Sequence, residues 1–316
     1  MGRFLFLFLL VPALALGQAY PSRPVRVVVT FPPGGTPDIY GRVMAAELQK
    51  IWGQPVVVEN RTGAGGTIGT DFVAKAPPDG YTLLFAADAT ITLAPSVIAK
   101  MPYDPVRDLT PIVNVTAGPF VLMANPAFPA NNMAEFIALA KKEPGRIAYA
   151  SSGAGGQQHL AMESVRTMAG IDVVHVPYKG FGQGVTDVLA NQVPLIFGGI
   201  TASIAYTSSG KLKALGVTSE KRAKAMPNVP AIAETLPGFD ITAWYGFLGP
   251  AKLPPDIVRK INHDACAIIA RPDFQERLTK DGIEPVGNTP AEFADQIKLD
   301  IARWARIVKA AGVKPE

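Results

Sequence analysis

The sequence predicts a two-domain α/β protein with a hinge of two crossing strands and a ligand cleft between its domains. Three observations carry this reading. Short β-branched runs alternate with helical runs, the alternation stops and restarts midway, and glycine-rich turns stand at three strand-to-helix junctions. Such alternation lays strands in parallel with helices on the faces of the sheet. In open sheets of this kind small ligands sit at the C-terminal ends of the strands, where these turns fall.

Residues 1–19 read as a secretory signal: Arg3 is followed by an apolar core from Phe4 to Leu16 and by small residues at Gly17 and Ala19, and cleavage is expected after Ala19. The apolar run is shorter than the roughly 20 residues a membrane-spanning helix needs. Removing it takes Arg3 away and lowers the formal net charge from +4 to +3. The remaining lysines and arginines are scattered, which argues against a nucleic-acid surface. A hydrophobic content of 48% with 18% charged residues fits a globular exported chain. Cys266 is the single cysteine, so no internal disulfide is expected, and it reads as a small buried apolar residue. His159, His175 and His263 stand far apart without HExxH or CxxC spacing, so neither a metal site nor a cofactor is expected.

From Pro24 the first series runs VRVVVTF, a helix over Ile39 to Ile51, VVVEN, a helix over Thr67 to Lys75, and YTLLFAAD. Tyr40, Val43, Met44, Leu48 and Ile51 share one helical face. Asp38 stands where a carboxylate caps a helix start. A Pro-rich passage, Met101 to Pro111, interrupts the series, and FVLMANP opens a second one on the same plan. It continues with a helix over Met133 to Lys142, IAYASSG, a helix over Leu160 to Ala169, VVHVPYKG, a helix over Gly184 to Ala190, and VPLIFGGI. After LKALGVTSE and TAWYGFLGP two helical stretches end the chain, the last with Phe293, Ile297, Ile301, Trp304 and Val308 on one face. The simplest joining gives a first domain of residues 20–121 and 246–316 and a second of 122–245. The crossing strands then fall near Gly118 to Met123 and Ala243 to Leu248.

The three turns are FPPGGTPD, TGAGGTIG and SSGAGGQQH. A glycine turn at a helix start exposes backbone N–H groups and makes an anion site. None carries the GxxxxGK[ST] pattern of a phosphate loop, and in GAGGTIG the last glycine comes one residue too late for a dinucleotide fingerprint. SSGAGGQQH adds two hydroxyls and two amides suited to a carboxylate or hydroxy acid, and the prolines of FPPGGTPD hold the donors of Gly35 and Thr36 ready. Ser151 and Ser152 lack the GxSxG elbow of a nucleophile, and His159 is near them only in sequence. His175, inside VVHVP, reads as a satisfied strand residue; Tyr178, just past a strand end, reads as ligand-lining. A secreted hydrolase acting on a carboxylate ester or amide through Ser151 or Ser152 remains the competing reading.

The runs YPSRPVRVVVTFPPGGTPD, VVVENRTGAGGTIG, PPDGYTLLF, YDPVRDLTPI, YASSGAGGQQHL, HVPYKG, LKALGVTSEKR and WYGFLGPAKLPPDIV resemble the extracytoplasmic solute receptors of tripartite tricarboxylate transporters, the Bug family. The resemblance covers essentially the whole chain after residue 19, with the motifs in family order. It implies a type II-like periplasmic binding protein, active as a monomer, that closes on a carboxylate-bearing solute and hands it to the membrane permease subunits. It implies further that one ligand carboxylate is held, partly through water, by the loops after the first strand of each domain. Here those loops hold Phe31, Pro33, Gly34, Gly35, Thr36 and Asp38, and Ser151, Ser152, Gly153, Gln157 and His159. Gly66, Thr67, Asp88, Tyr178, Gly199 and Thr201 line the variable part of the pocket. The family has no catalytic residues. The same binding with a sensor kinase as reader is an alternative output.

Asp88 departs from expectation, because a small or amide residue is expected at that strand end. It reads either as the cap of the next helix or as a pocket residue favouring an amine or hydroxyl over a second carboxylate.

Overall fold

The computed structural model describes residues 20–315, so the expected signal at 1–19 lies outside the described residues. The first series folds as β1 (Val25–Val29), α1 (Thr36–Trp52), β2 (Val56–Asn60), α2 (Thr67–Ala74), β3 (Thr82–Ala87) and, after a π-helical turn at Ala89–Leu93, α3 (Ala94–Val97). β4 (Leu109–Ala124) leads into α4 (Met133–Lys142), β5 (Ala148–Ser151), α5 (Gln157–Ala169), β6 (Val174–Pro177), α6 (Phe181–Leu189), β7 (Leu195–Gly199), α7 (Ile200–Ser208) and β8 (Lys213–Val217). The chain then returns through β9 (Thr242–Pro250), α8 (Pro255–Ile269), α9 (Pro272–Lys280), β10 (Glu284–Pro285) and α10 (Pro290–Ala311).

The strands follow the order β2-β1-β3-β9-β4-β7-β5-β6, with β8 and β10 also paired to β4. β2-β1-β3 are parallel, and so are β6-β5-β7, so the two series are wound alike. β4 joins them. Its residues from Leu109 to Pro119 pair antiparallel with β9, and from Phe120 to Ala124 it pairs with β7 and β8 instead. β1 reads VRVVV and is buried at Val25, Val27, Val28 and Val29, as a strand covered on both faces requires.

Two local features differ from the sequence reading. β4 begins eleven residues before the expected FVLMANP strand, straight through Pro111 and Pro119. A proline is tolerated where the ladder is broken, and the register shifts between Pro111 and Val113. The C-terminal helix also divides its contacts. Phe293 and Ile297 of α10 join a core with Trp244 and Leu248, whereas Trp304 and Val308 enter the core of Leu160, Met162 and Val165 on α5. The last turns of α10 thus pack on α5 of the second series. The start of α10 is well defined: Thr289 accepts the Glu292 N–H, Glu292 accepts the Thr289 N–H in return, and Pro290 takes the first helical position.

Candidate functional site

Residues 31–35 follow β1 and residues 152–156 follow β5, both at C-terminal strand ends. The two turns share one internal brace. In each, the third residue of the helix reaches back to the glycine before the N-cap: Asp38 Oδ2 accepts the Gly34 N–H at 2.9 Å, and His159 Nδ1 accepts the Gly155 N–H at 3.0 Å. The N-cap glycines donate to Pro32 O and Gly153 O, and Ser151 Oγ accepts the Gly153 N–H at 3.2 Å. The Gly35 N–H, expected to be held ready for a ligand, is therefore consumed inside its turn, as are those of Gly34 and Gly153. Neither helix has a side-chain cap. Among the described residues, the first-turn N–H groups of Thr36 and Asp38 in α1, and of Gln157, Gln158 and His159 in α5, have no hydrogen-bond acceptor.

Asp38 is a brace and not the expected helix cap. Its carboxylate is 4% exposed and also accepts from Arg42 Nε and from Asn60 Nδ2 at 2.8 Å. Burial disfavours its charge, but the bonds from Arg42, Gly34 and Asn60 outweigh burial and hold the carboxyl below its ordinary value. Asn60 also donates to Phe31 O, so β2 fixes the entry to the turn. Pro33 and Gly35 are exposed at its tip.

The second turn rests on stacked rings. The His159 and His175 imidazoles lie 3.9 Å apart at 11°, and Tyr149 stacks on His175 at 5.0 Å. Because Nδ1 of His159 accepts, its neutral ring carries the proton on Nε2, toward Glu163. Burial lowers the His159 titration; burial and then the His159 charge lower His175 to about 4. Ser151 Oγ lies 2.6 Å from His175 Nε2, a pairing the sequence reading missed because His175 was assigned to a strand interior. This serine–histidine pair does not make an exposed nucleophile. Ser151 is fully buried, shapes its own turn, and among the described residues no carboxylate bonds His175. Ser152 Oγ donates to Gln158 Oε1 at 2.6 Å.

The third turn faces the second across a cavity of about 340 Å³ lined by Ala64, Gly65, Ala89, Leu93, Gly155 and Gly156. Gly66 has φ +96°, and a Cβ there would stand 2.5 Å from Thr90 Cγ2, so the turn closes only with glycine. Thr67 turns inward and donates to Ala64 O at 2.9 Å.

A polar row crosses between the two units. Tyr245 faces Asp88, and Gln157 Nε2 donates to Asp88 Oδ2 at 2.5 Å. Asp88 is 2% exposed, and its side chain makes no cap bond to the turn that follows. Burial, then the Asp300 carboxylate, push Asp88 up to about 8 against the hydrogen bond from Gln157. Burial and the Asp88 charge likewise raise Tyr245. Neither Tyr245 nor Asp300 was legible as a site residue.

Other expected site residues point elsewhere. The Tyr178 hydroxyl donates to Asp187 on α6 at 2.6 Å, which with burial raises it to about 12. Thr201 Oγ1 donates to Asp281 O at 2.6 Å, and Gly199 is the N-cap of α7. Among the described residues, no group of three or more His, Cys, Asp or Glu is arranged to hold a metal ion, and no helix is long and apolar enough to cross a membrane.

Two similarly wound α/β units on one shared strand, with unfilled helix N-termini at the seam, define a solute-binding protein of the periplasmic type. Solved structures similar to it agree with this. R. palustris Rpa4515 with adipate matches with a TM-score of 0.83 and 32% identity over 94% of this chain and all of its own. MatC from Rhodopseudomonas palustris with bound malate matches at 0.77 and 32%, over 92% of this chain and 100% of MatC. BugT of Bordetella pertussis is 36% identical over 299 residues, 94% of this chain and 92% of BugT. The family model described as tripartite tricarboxylate transporter family receptor matches residues 40–313, and the chain belongs to this family.

Proposed function

We propose that this chain is a periplasmic receptor, exported with cleavage after Ala19, that captures a small carboxylate between its two α/β units and delivers it to permease subunits as a monomer. The units are residues 20–121 with 246–316, and 122–245, hinged where β4 and β9 run side by side. The carboxylate rests on the free first-turn N–H groups of Thr36 and Asp38 on one side and of Gln157, Gln158 and His159 on the other.

The observation that carries this reading is the pair of braced turns whose unfilled donors stand at the seam. The bound adipate and malate of the two relatives support the ligand class. Each hydrogen bond to a carboxylate contributes about 1.5–3 kcal/mol and each helix N-terminus up to about 2. Micromolar binding requires about 8 kcal/mol, which two such turns supply after ordering costs. Thermal unfolding with a series of mono- and dicarboxylates at millimolar concentration tests it: at 100 times Kd a ligand stabilises by about 2.7 kcal/mol. Absence of a shift with every carboxylate, together with native mass spectra showing no retained solute, rejects the reading.

A further inference from the structure

Resting on the carboxylate-receptor reading, we propose that the solute carries an ammonium group beside its carboxylate and that Asp88 receives it, making Asp88 the specificity-determining residue of the cleft. Asp88 is buried at the seam, and its hydrogen-bond donor from the opposite unit is Gln157, the first residue of α5. The same residue supplies one of the unfilled N–H groups of the carboxylate clamp. A group that meets the Asp88 carboxyl therefore stands next to the carboxylate held at the α5 N-terminus, as an α- or β-amino group does.

The surroundings of Asp88 select for a cation. Tyr245 from β9 and Asp300 from α10 are the titratable groups facing it, and Asp300 is itself acidic. Among the described residues no salt bridge or hydrogen bond joins Asp88 to a lysine, arginine or histidine; the nearest such pairing is Arg303 with Asp300 at 3.8 Å. A buried carboxylate without a cationic partner is costly, and it either takes up a proton or waits for a cation. An ammonium supplies that charge and, with three N–H donors, replaces the single donor of Gln157. A second carboxylate or a methylene supplies neither. The raised titration of Asp88 fits the same account: in the empty protein near neutral pH the carboxyl holds its proton, and an arriving ammonium displaces it to the buffer.

Calorimetry with two matched pairs tests this, adipate against 2-aminoadipate and succinate against aspartate, in phosphate and in Tris at pH 7. The expected result is at least about tenfold tighter binding of an amino member, with release of between half and one proton per solute read from the buffer dependence. In Asp88→Asn the preference falls to within about twofold and the proton release vanishes. Equal affinity within both pairs in the native protein overturns the inference and leaves the carboxylate receptor standing. So does an amino preference without proton release that Asp88→Asn retains. Loss of binding by all four solutes, and by longer and aromatic carboxylates, removes the receptor reading and this inference together. The proton count uses the native protein, so it stands even if the variant fails to fold.

Discussion

After β1 a carboxylate reaches back from the third residue of a helix to hold the glycine before the N-cap; after β5 an imidazole does the same from the same position. The architecture of the two turns is one plan, and both leave the first-turn N–H groups of the helix unfilled. Their supports differ. Asp38 is tied by Arg42 and Asn60 into a charged network, whereas His159 is held by stacking on His175 beside Tyr149 and by no formal charge of its own. One brace is electrostatic and keeps its acceptor over a wide pH range. The other is an acceptor only while it is neutral.

Removing each brace measures that difference most directly. Asp38→Ala strands the Gly34 N–H, the Asn60 amide and part of the Arg42 guanidinium, and we expect a loss of about 2–3 kcal/mol in urea unfolding, discounted because Arg42 is half exposed. Solute affinity falls with it, by tenfold or more, since Thr36 and Asp38 lose their fixed positions. His159→Ala strands one N–H and opens the stack, for about 1–2 kcal/mol. Equal costs at the two positions contradict the contrast.

Acid separates the turns without mutation. Because the folded His159 and His175 titrate below the ordinary histidine value, the stability of the neutral stack is complete above about pH 6.5. It is lost as pH falls through the folded values, about 4 for His175. Protonated His159 cannot accept the Gly155 N–H, although Glu163 favours its charge while Arg166 opposes it. Asp38, held below its usual range, stays ionised over most of this window. Affinity should therefore fall by up to about tenfold per pH unit toward pH 4, and His159→Gln, which keeps an acceptor, should flatten the fall. Titrations from pH 7.5 to 3.5 check it, and a flat profile in the native protein contradicts the imidazole brace.

Much of this arrangement was legible in the sequence because it depends on local pattern. The β-branched runs, the helical face of Tyr40, Met44 and Leu48, and the three glycine turns are neighbours along the chain, and all lie where period and turn chemistry place them. What escaped reading depends on distance. His175 reads as one more strand residue until β5 and β6 pair and bring it against Ser151. Pro111 reads as a breaker because the register shift that admits it exists only against β9. Thr67, Tyr178 and Thr201 stand near the expected pocket in sequence, yet their hydroxyls are drawn to Ala64, Asp187 and Asp281. Asp88 stood out in the sequence, but its partner Gln157 lies on the other unit.

Asp88 meets the helix of the second turn through Gln157, and its titration sharpens the comparison further. A carboxyl raised to about 8 in the folded chain favours folding while protonated, so its contribution declines as pH rises from its unfolded value near 4 and is gone above the folded value. The ligand-free protein should lose a few degrees of melting temperature between pH 6 and 9, and Asp88→Asn should hold its melting temperature over that interval. An identical decline in both proteins places the alkaline loss elsewhere.

The smallest effects separate the neighbouring serines of the second turn. Ser151 is buried, accepts the Gly153 N–H and contacts His175, so Ser151→Ala removes support from the turn and should cost about 1 kcal/mol. Ser152 is half-buried and its hydroxyl serves only Gln158. Ser152→Ala should change stability by no more than about 0.5 kcal/mol, with solute affinity within about twofold. If catalysis on an ester or amide resided here, Ser152→Ala or Ser151→Ala would instead abolish a measurable turnover while leaving binding intact. Stoichiometric binding of a carboxylate without product, retained in Ser152→Ala and weakened in Ser151→Ala, is the pattern that a braced binding turn requires and a nucleophile does not.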